Sequence, residues 1–88
     1  MKALKFGAIW CKECMVMRPM WEEIEKKFPE LQTEYFDADE HPEKLEEYGV
    51  TDIPVFVFLD KDGKEFMRLE GAQNQEELEK IVQENLNK

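Results

Sequence analysis

The only two cysteines of the chain, Cys11 and Cys14, stand three positions apart in Trp10-Cys11-Lys12-Glu13-Cys14. A thiol pair at this spacing in a reducing compartment is usually redox-active or metal-binding, not the framework of a secreted disulfide scaffold. Structural zinc takes about four ligands, and the chain adds one histidine, His41, in a distant acidic stretch. A zinc centre within one subunit is therefore not expected, although two subunits could pool their thiols. The plainest alternative is a pair of small side chains packed at the start of a helix.

The elements around the pair decide what it can do. Leu4, Phe6, Ala8 and Ile9 make a short apolar strand from Lys2 to Ile9 that runs straight into the cysteines. Beyond them Met17, Met20, Trp21, Ile24 and Phe28 recur at helical spacing up to Pro29, with Pro19 inside the pattern as a source of a kink. Leu31 to Asp37 alternates as a second strand, with Leu31, Thr33 and Tyr35 on one side and Phe36 closing the run. Pro42 opens a short helix striped by Leu45 and Tyr48 and ended by Gly49. Val55 to Leu59 is a continuous apolar run, as in a central strand covered on both faces. Asp60-Lys61-Asp62-Gly63 turns it into a strand from about Lys64 to Glu70. Asn74 then caps a last helix that buries Leu78, Ile81, Val82 and Leu86.

The order β-α-β-α-β-β-α predicts an α/β fold in which a right-handed crossover makes the first two strands parallel and the hairpin adds antiparallel ones. The result is a three-layer sandwich around a four-stranded mixed sheet. Cys11 falls where a strand meets a helix, so unpaired backbone N–H groups and the positive end of the helix dipole favour thiolate over thiol. Cys14 lies one turn further on and more sheltered. That separation lets Cys11 attack a partner disulfide and Cys14 resolve the mixed disulfide, or the reverse sequence oxidise a dithiol.

The bulk properties narrow the partners. Eighty-eight residues make one domain, residues 1–88, and a net charge of −9 repels phosphate backbones and anionic lipid heads. Nucleic acid and membrane surfaces are thus poor partners. The N-terminal stretch has no long apolar core of a secretory signal, and the expectation is a cytoplasmic protein. No unburied apolar stripe appears in the periodicity, so a monomer is expected.

Trp10-Cys11-Lys12-Glu13-Cys14 after a strand, Pro19, Tyr48-Gly49, Ile53-Pro54, Gly63 and Gly71-Ala72 together resemble the thioredoxin family, over nearly the whole chain. The sequence starts directly at the strand that feeds the cysteines, without the strand-helix unit that precedes it in full-length thioredoxins. The resemblance implies a cis Ile53–Pro54 bond packed against the cysteines. It also implies a partner-binding surface that includes Trp10, Ile53, Pro54 and Gly71. It implies exchange with protein disulfides, no bound cofactor beyond the Cys11–Cys14 disulfide itself, and electrons from a flavin-dependent reductase or a small thiol.

Two features depart from the family. Lys12 and Glu13 replace the usual Gly-Pro, one favouring the thiolate by charge and the other opposing it. Lys5 stands six residues before Cys11, where thioredoxins carry a buried acid. Lys5 is expected to run its stem to solvent through the face left open by the missing helix. If it lay beneath the sulfurs, it would stabilise thiolate or, desolvated, act as a base. Met17 and Met20 belong to the helix stripe, Met15 to the surface near the thiols, and His41 to a solvated helix start. Trp10 is expected to shield one flank of the nucleophile. The rival to an enzyme is a redox-switch binding module that captures one partner with little general turnover.

Overall fold

The computed structural model describes residues 1–88. The chain forms β1 (Lys2–Gly7), α1 (Lys12–Lys27), β2 (Gln32–Asp37), α2 (Pro42–Glu47), β3 (Val55–Leu59), β4 (Glu65–Glu70) and α3 (Gln75–Asn85). The strands lie in the order β2-β1-β3-β4, with β1 parallel to β2 and the other two pairs antiparallel. The predicted mixed sheet and element order are both realised.

β3 explains why the sheet is covered twice. All five of its residues are buried, and they alternate between two clusters. Phe56 and Phe58 face α1 and α3 with Ala3, Met17, Trp21, Ile24, Leu78 and Val82. Val55, Val57 and Leu59 face the other way with Leu4, Phe6 and Phe36, where Leu45 and Tyr48 close over them. Each large apolar side chain taken fully out of water stabilises the fold by about 1.5–3 kcal/mol before entropy is counted. A strand with apolar groups on both faces is therefore the natural centre.

The differences from expectation lie at ends and edges. β1 stops at Gly7, and Ile9, expected in the strand, is 69% exposed in the turn before α1. In β2 the buried residues are Phe36 and Asp37, while Tyr35 is 43% exposed. β2 is the edge of the sheet, with a partner on one side only, so its Thr33–Tyr35 side has less to pack against. α2 holds no fully buried residue. In α3 Leu78 and Val82 are fully buried, with Ile81 and Leu86 at the margin of the cluster. α1 continues through Pro19 without a break.

Candidate active site

α1 begins at the disulfide. Cys11 is its N-cap in extended conformation, and its Sγ accepts the backbone N–H of Cys14 at 3.2 Å. Cys11 and Cys14 are joined as a disulfide with Cα atoms 5.2 Å apart. The Cys11 sulfur therefore sits on a helix N-terminal N–H. That arrangement stabilises negative charge on this sulfur whenever the disulfide opens. Both cysteines are half-buried, so burial class does not separate them as expected, and the Cys14 sulfur lies over β1 at Gly7.

Gly7 provides the seat. A Cβ at this position would meet Cys14 Sγ at 3.1 Å, Cys14 Cβ at 3.2 Å and the Tyr35 ring at 3.3 Å. A side chain here would press the cysteine and the Tyr35 ring back by a few tenths of an ångström, so glycine suits this close approach to β1. Behind Cys14 opens a cavity of about 240 Å³ bordered by Lys5, Gly7, Trp21, Glu25, Tyr35 and Pro54 among others. Burial, reinforced by the Asp37 carboxylate, holds the Tyr35 phenol above its ordinary value.

Lys5 overturns its expected path. Its side chain does not leave by the face opposite α1. It turns beneath α1, where its Nζ pairs with Glu25 at 2.7 Å, lies 5.7 Å from the centre of the Trp21 ring and leaves the side chain 17% exposed. Thr33 Oγ1 also donates to Glu25, at 3.0 Å. The physical reason is register: Lys5 shares a strand face with Ala3, which belongs to the α1–α3 cluster. A carboxylate within reach there outweighs a longer route to water.

The other flank is made of loops. Trp10 is 67% exposed and donates from Nε1 to Asp39 Oδ2 at 2.8 Å. Asp39 is in turn placed by Asp37, whose Oδ1 accepts the backbone N–H groups of Asp39 and Glu40. Ile53–Pro54 is a cis peptide bond, as the family resemblance implied, and Pro54 is fully buried against the cavity. Ile53 is half-buried against the α2-side cluster. Pro54 O accepts the N–H of Gly71 at 2.8 Å, and Gly71 takes φ +86°, which favours glycine. Glu13 reaches across to this loop and accepts from Ala72 N–H at 3.4 Å. Lys12 is exposed. The structure thus gathers Trp10, Cys11, Glu13, Cys14, Pro54 and Gly71 at one end of the sheet, with Lys5 behind them.

Four contributors escape a reading of the sequence: Gly7, Glu25, Asp37 and Asp39. Glu25 carried a signal, because positions 14, 18, 21 and 25 share one stripe of a helix. Asp37-Ala38-Asp39 at a strand end carried one too, since Asp side chains there bond the backbone two residues on. His41 is exposed, its Nδ1 3.1 Å from Glu43, and has no place at the site. Nowhere do three or more His, Cys, Asp or Glu side chains converge in an arrangement that could hold a metal ion.

The family model described as Thioredoxin matches residues 2–84. The chain belongs to the thioredoxin family. It is 37% identical to Thioredoxin H5 of Oryza sativa subsp. japonica over 93% of its own length and 60% of that relative's. It is 41% identical to a Thioredoxin H-type of Fagopyrum esculentum over 90% of its length and 67% of that relative's. Among solved structures, Fasciola hepatica thioredoxin superposes with a TM-score of 0.86 at 36% identity, over 96% of this chain and 79% of that one. The chain spans about three-fifths of the length of the first of these relatives. The family assignment thus covers the cysteines, the cis proline and the loop at Gly71 together.

Proposed function

We propose that the protein is a thiol-disulfide oxidoreductase that reduces protein disulfides. The observation that carries this reading is the Cys11–Cys14 disulfide at the N-terminus of α1, beside a cis proline, in a thioredoxin-family chain. In the reduced protein the Cys11 thiolate attacks one sulfur of the partner disulfide. A Cys11–partner bond forms, the partner's S–S bond breaks, and the other partner sulfur leaves as thiolate and takes a proton. Cys14 then loses its proton and attacks Cys11 Sγ, which forms the Cys11–Cys14 disulfide and releases the second partner thiol. Two electrons pass to the partner, and no cofactor beyond the disulfide takes part.

Trp10, Ile53, Pro54 and Gly71 form the surface on which the partner lies. Ile9, Trp10, Met15 and Val16 are exposed apolar residues around the disulfide, and a patch of this kind suits transient docking. Lys5 acts as a modulator through its pair with Glu25, and Lys12 and Glu13 act through charge next to the nucleophile. The protein works as a monomer in a reducing cytoplasm, where a flavin-dependent reductase or a small thiol returns it to the dithiol. No helix is long and apolar enough to cross a membrane.

The test pairs a potential with turnover. The equilibrium midpoint of the Cys11–Cys14 couple, followed by tryptophan fluorescence and thiol mass, should be a single two-electron transition at a strongly reducing value. The reduced protein should turn over insulin with a dithiol as electron source. Cys11→Ser should abolish turnover, and Cys14→Ser should accumulate one mixed disulfide visible by mass. Exchange limited to one equivalent would replace the enzyme with a redox-switch binding module.

A further inference from the structure

Three consecutive N–H groups of the loop after β4 point at three parts of the site. Gly71 N–H goes to Pro54 O at 2.8 Å, Ala72 N–H to Glu13 Oε2 at 3.4 Å, and Gln73 N–H to Met17 Sδ at 3.3 Å. The outer two are bound to fully buried residues, Pro54 and Met17, the latter 2% exposed. The middle one is held only by the side chain of an exposed residue, over a distance at the long end for a hydrogen bond. Such a bond exchanges readily for another acceptor. Glu13 is also the residue directly between Lys12 and Cys14, and its carboxylate reaches from the first turn of α1 to the loop at Ala72.

The charges nearby have one predominant sign. Asp39 stands beside Trp10, exposed Asp52 lies two positions before Pro54, and exposed Glu70 pairs with Val55, the residue after Pro54. Of the two cations on the first turns of α1, Arg18 lies over the Tyr35 ring, 6.0 Å from its centre, which leaves Lys12 alone among them.

We propose that Glu13 is a specificity-determining residue that selects protein disulfides flanked by lysine or arginine. The inference rests on the oxidoreductase reading above. In the free protein Glu13 covers the Ala72 N–H. When a partner segment lies beside the loop at Gly71 and Ala72, one of its backbone carbonyls takes that N–H, and the freed carboxylate pairs with a cationic side chain beside the partner's disulfide. A partner with an acidic flank meets an unpaired like charge instead.

The experiment uses the full chain and two synthetic peptides that differ only in having arginine or glutamate beside the same intramolecular disulfide. The ratio of their kcat/KM values cancels any effect of Glu13 on the nucleophile itself, because that effect is common to both peptides. The protein should prefer the arginine peptide by about two- to five-fold at low salt, the range of an exposed ion pair, and less as salt rises. Glu13→Gln, which keeps an acceptor for Ala72 N–H but removes the charge, should lower the ratio toward the preference left by Asp39, Asp52 and Glu70, and Glu13→Lys should lower it further. An unchanged ratio in both variants, with both peptides still reduced, overturns this proposal alone. Failure of the unaltered protein to reduce either peptide or insulin removes the underlying reading and this proposal with it.

Discussion

The two flanks of the disulfide are built by different means. On the Cys14 side the neighbours are a strand, a helix face and a buried proline: Gly7 under the sulfur, Tyr35 beside it, and Lys5 paired with Glu25 behind. On the Cys11 side they are loop residues joined by hydrogen bonds at the surface, with Trp10 tied to Asp39 and Asp39 placed by Asp37. At Gly7, where a Cβ would meet Cys14 Sγ at 3.1 Å, there is little tolerance for added volume, whereas an exposed hydrogen-bonded loop can adjust. The packed flank thus determines where the sulfurs stand, and the open flank determines what can reach them.

The largest expected contrast comes from adding or trimming atoms on each side. Gly7→Ala puts a methyl group 3.1 Å from Cys14 Sγ, and overpacking of this kind costs about 1–3 kcal/mol. Trp10→Phe removes the bond to Asp39 from an exposed side chain, and its stability should stay within about 0.5 kcal/mol of the parent while partner reduction slows. Urea unfolding of both oxidised variants, read beside insulin turnover, checks this. Equal losses of stability would erase the distinction between the flanks.

An intermediate effect is expected at the ion pair. Lys5→Met leaves Glu25 with Thr33 as its remaining partner on the packed side. The Glu25 side chain is 34% exposed, so the loss should be about 1–2 kcal/mol, below the roughly 3–5 kcal/mol of a fully buried pair. The double variant Lys5→Met, Glu25→Gln should regain part of it. A double-mutant cycle in urea measures the coupling, and a coupling of zero would mean that solvent already screens the pair.

The smallest effect concerns pH. The Tyr35 phenol is held above its ordinary value of 10.0 by burial, with Asp37 adding to the shift. An unfolded tyrosine releases its proton near pH 10 while the folded one still keeps it. The unfolded state therefore binds fewer protons, and stability declines as pH rises from about 10. Tyr35→Phe should remove that decline, and a tyrosinate absorbance titration of the folded parent should show one phenol ionising late. Identical alkaline unfolding of parent and Tyr35→Phe would contradict it.

Much of this molecule was legible from short spans of chain. The apolar run Val55–Leu59, the Asn74 cap whose side chain accepts the N–H groups of Glu76 and Glu77, and Pro42 at the start of α2 all act within a few residues of themselves. The cysteine pair was legible for the same reason, since Cys11 caps the helix that carries Cys14. What short spans did not show were contacts whose partners lie far along the chain. Lys5 meets Glu25 twenty positions later, and Trp10 meets Asp39 twenty-nine positions later. Alternation put Leu31, Thr33 and Tyr35 on one side of a strand, and nothing local shows that on an edge strand Leu31 is buried while Tyr35 is 43% exposed.

By itself the sequence determined the order of elements, the mixed sheet, the helix-capping cysteine and, through its likeness to thioredoxins, the cis proline. These depend on periodicity, caps and turn residues, which act over one or two turns of chain. Only the tertiary structure decided that Gly7 is the seat of Cys14, that Lys5 turns under α1, and that Glu13 closes on Ala72 fifty-nine residues away. Those contacts join distant segments through packing, and packing exists only once both faces of the sheet are covered.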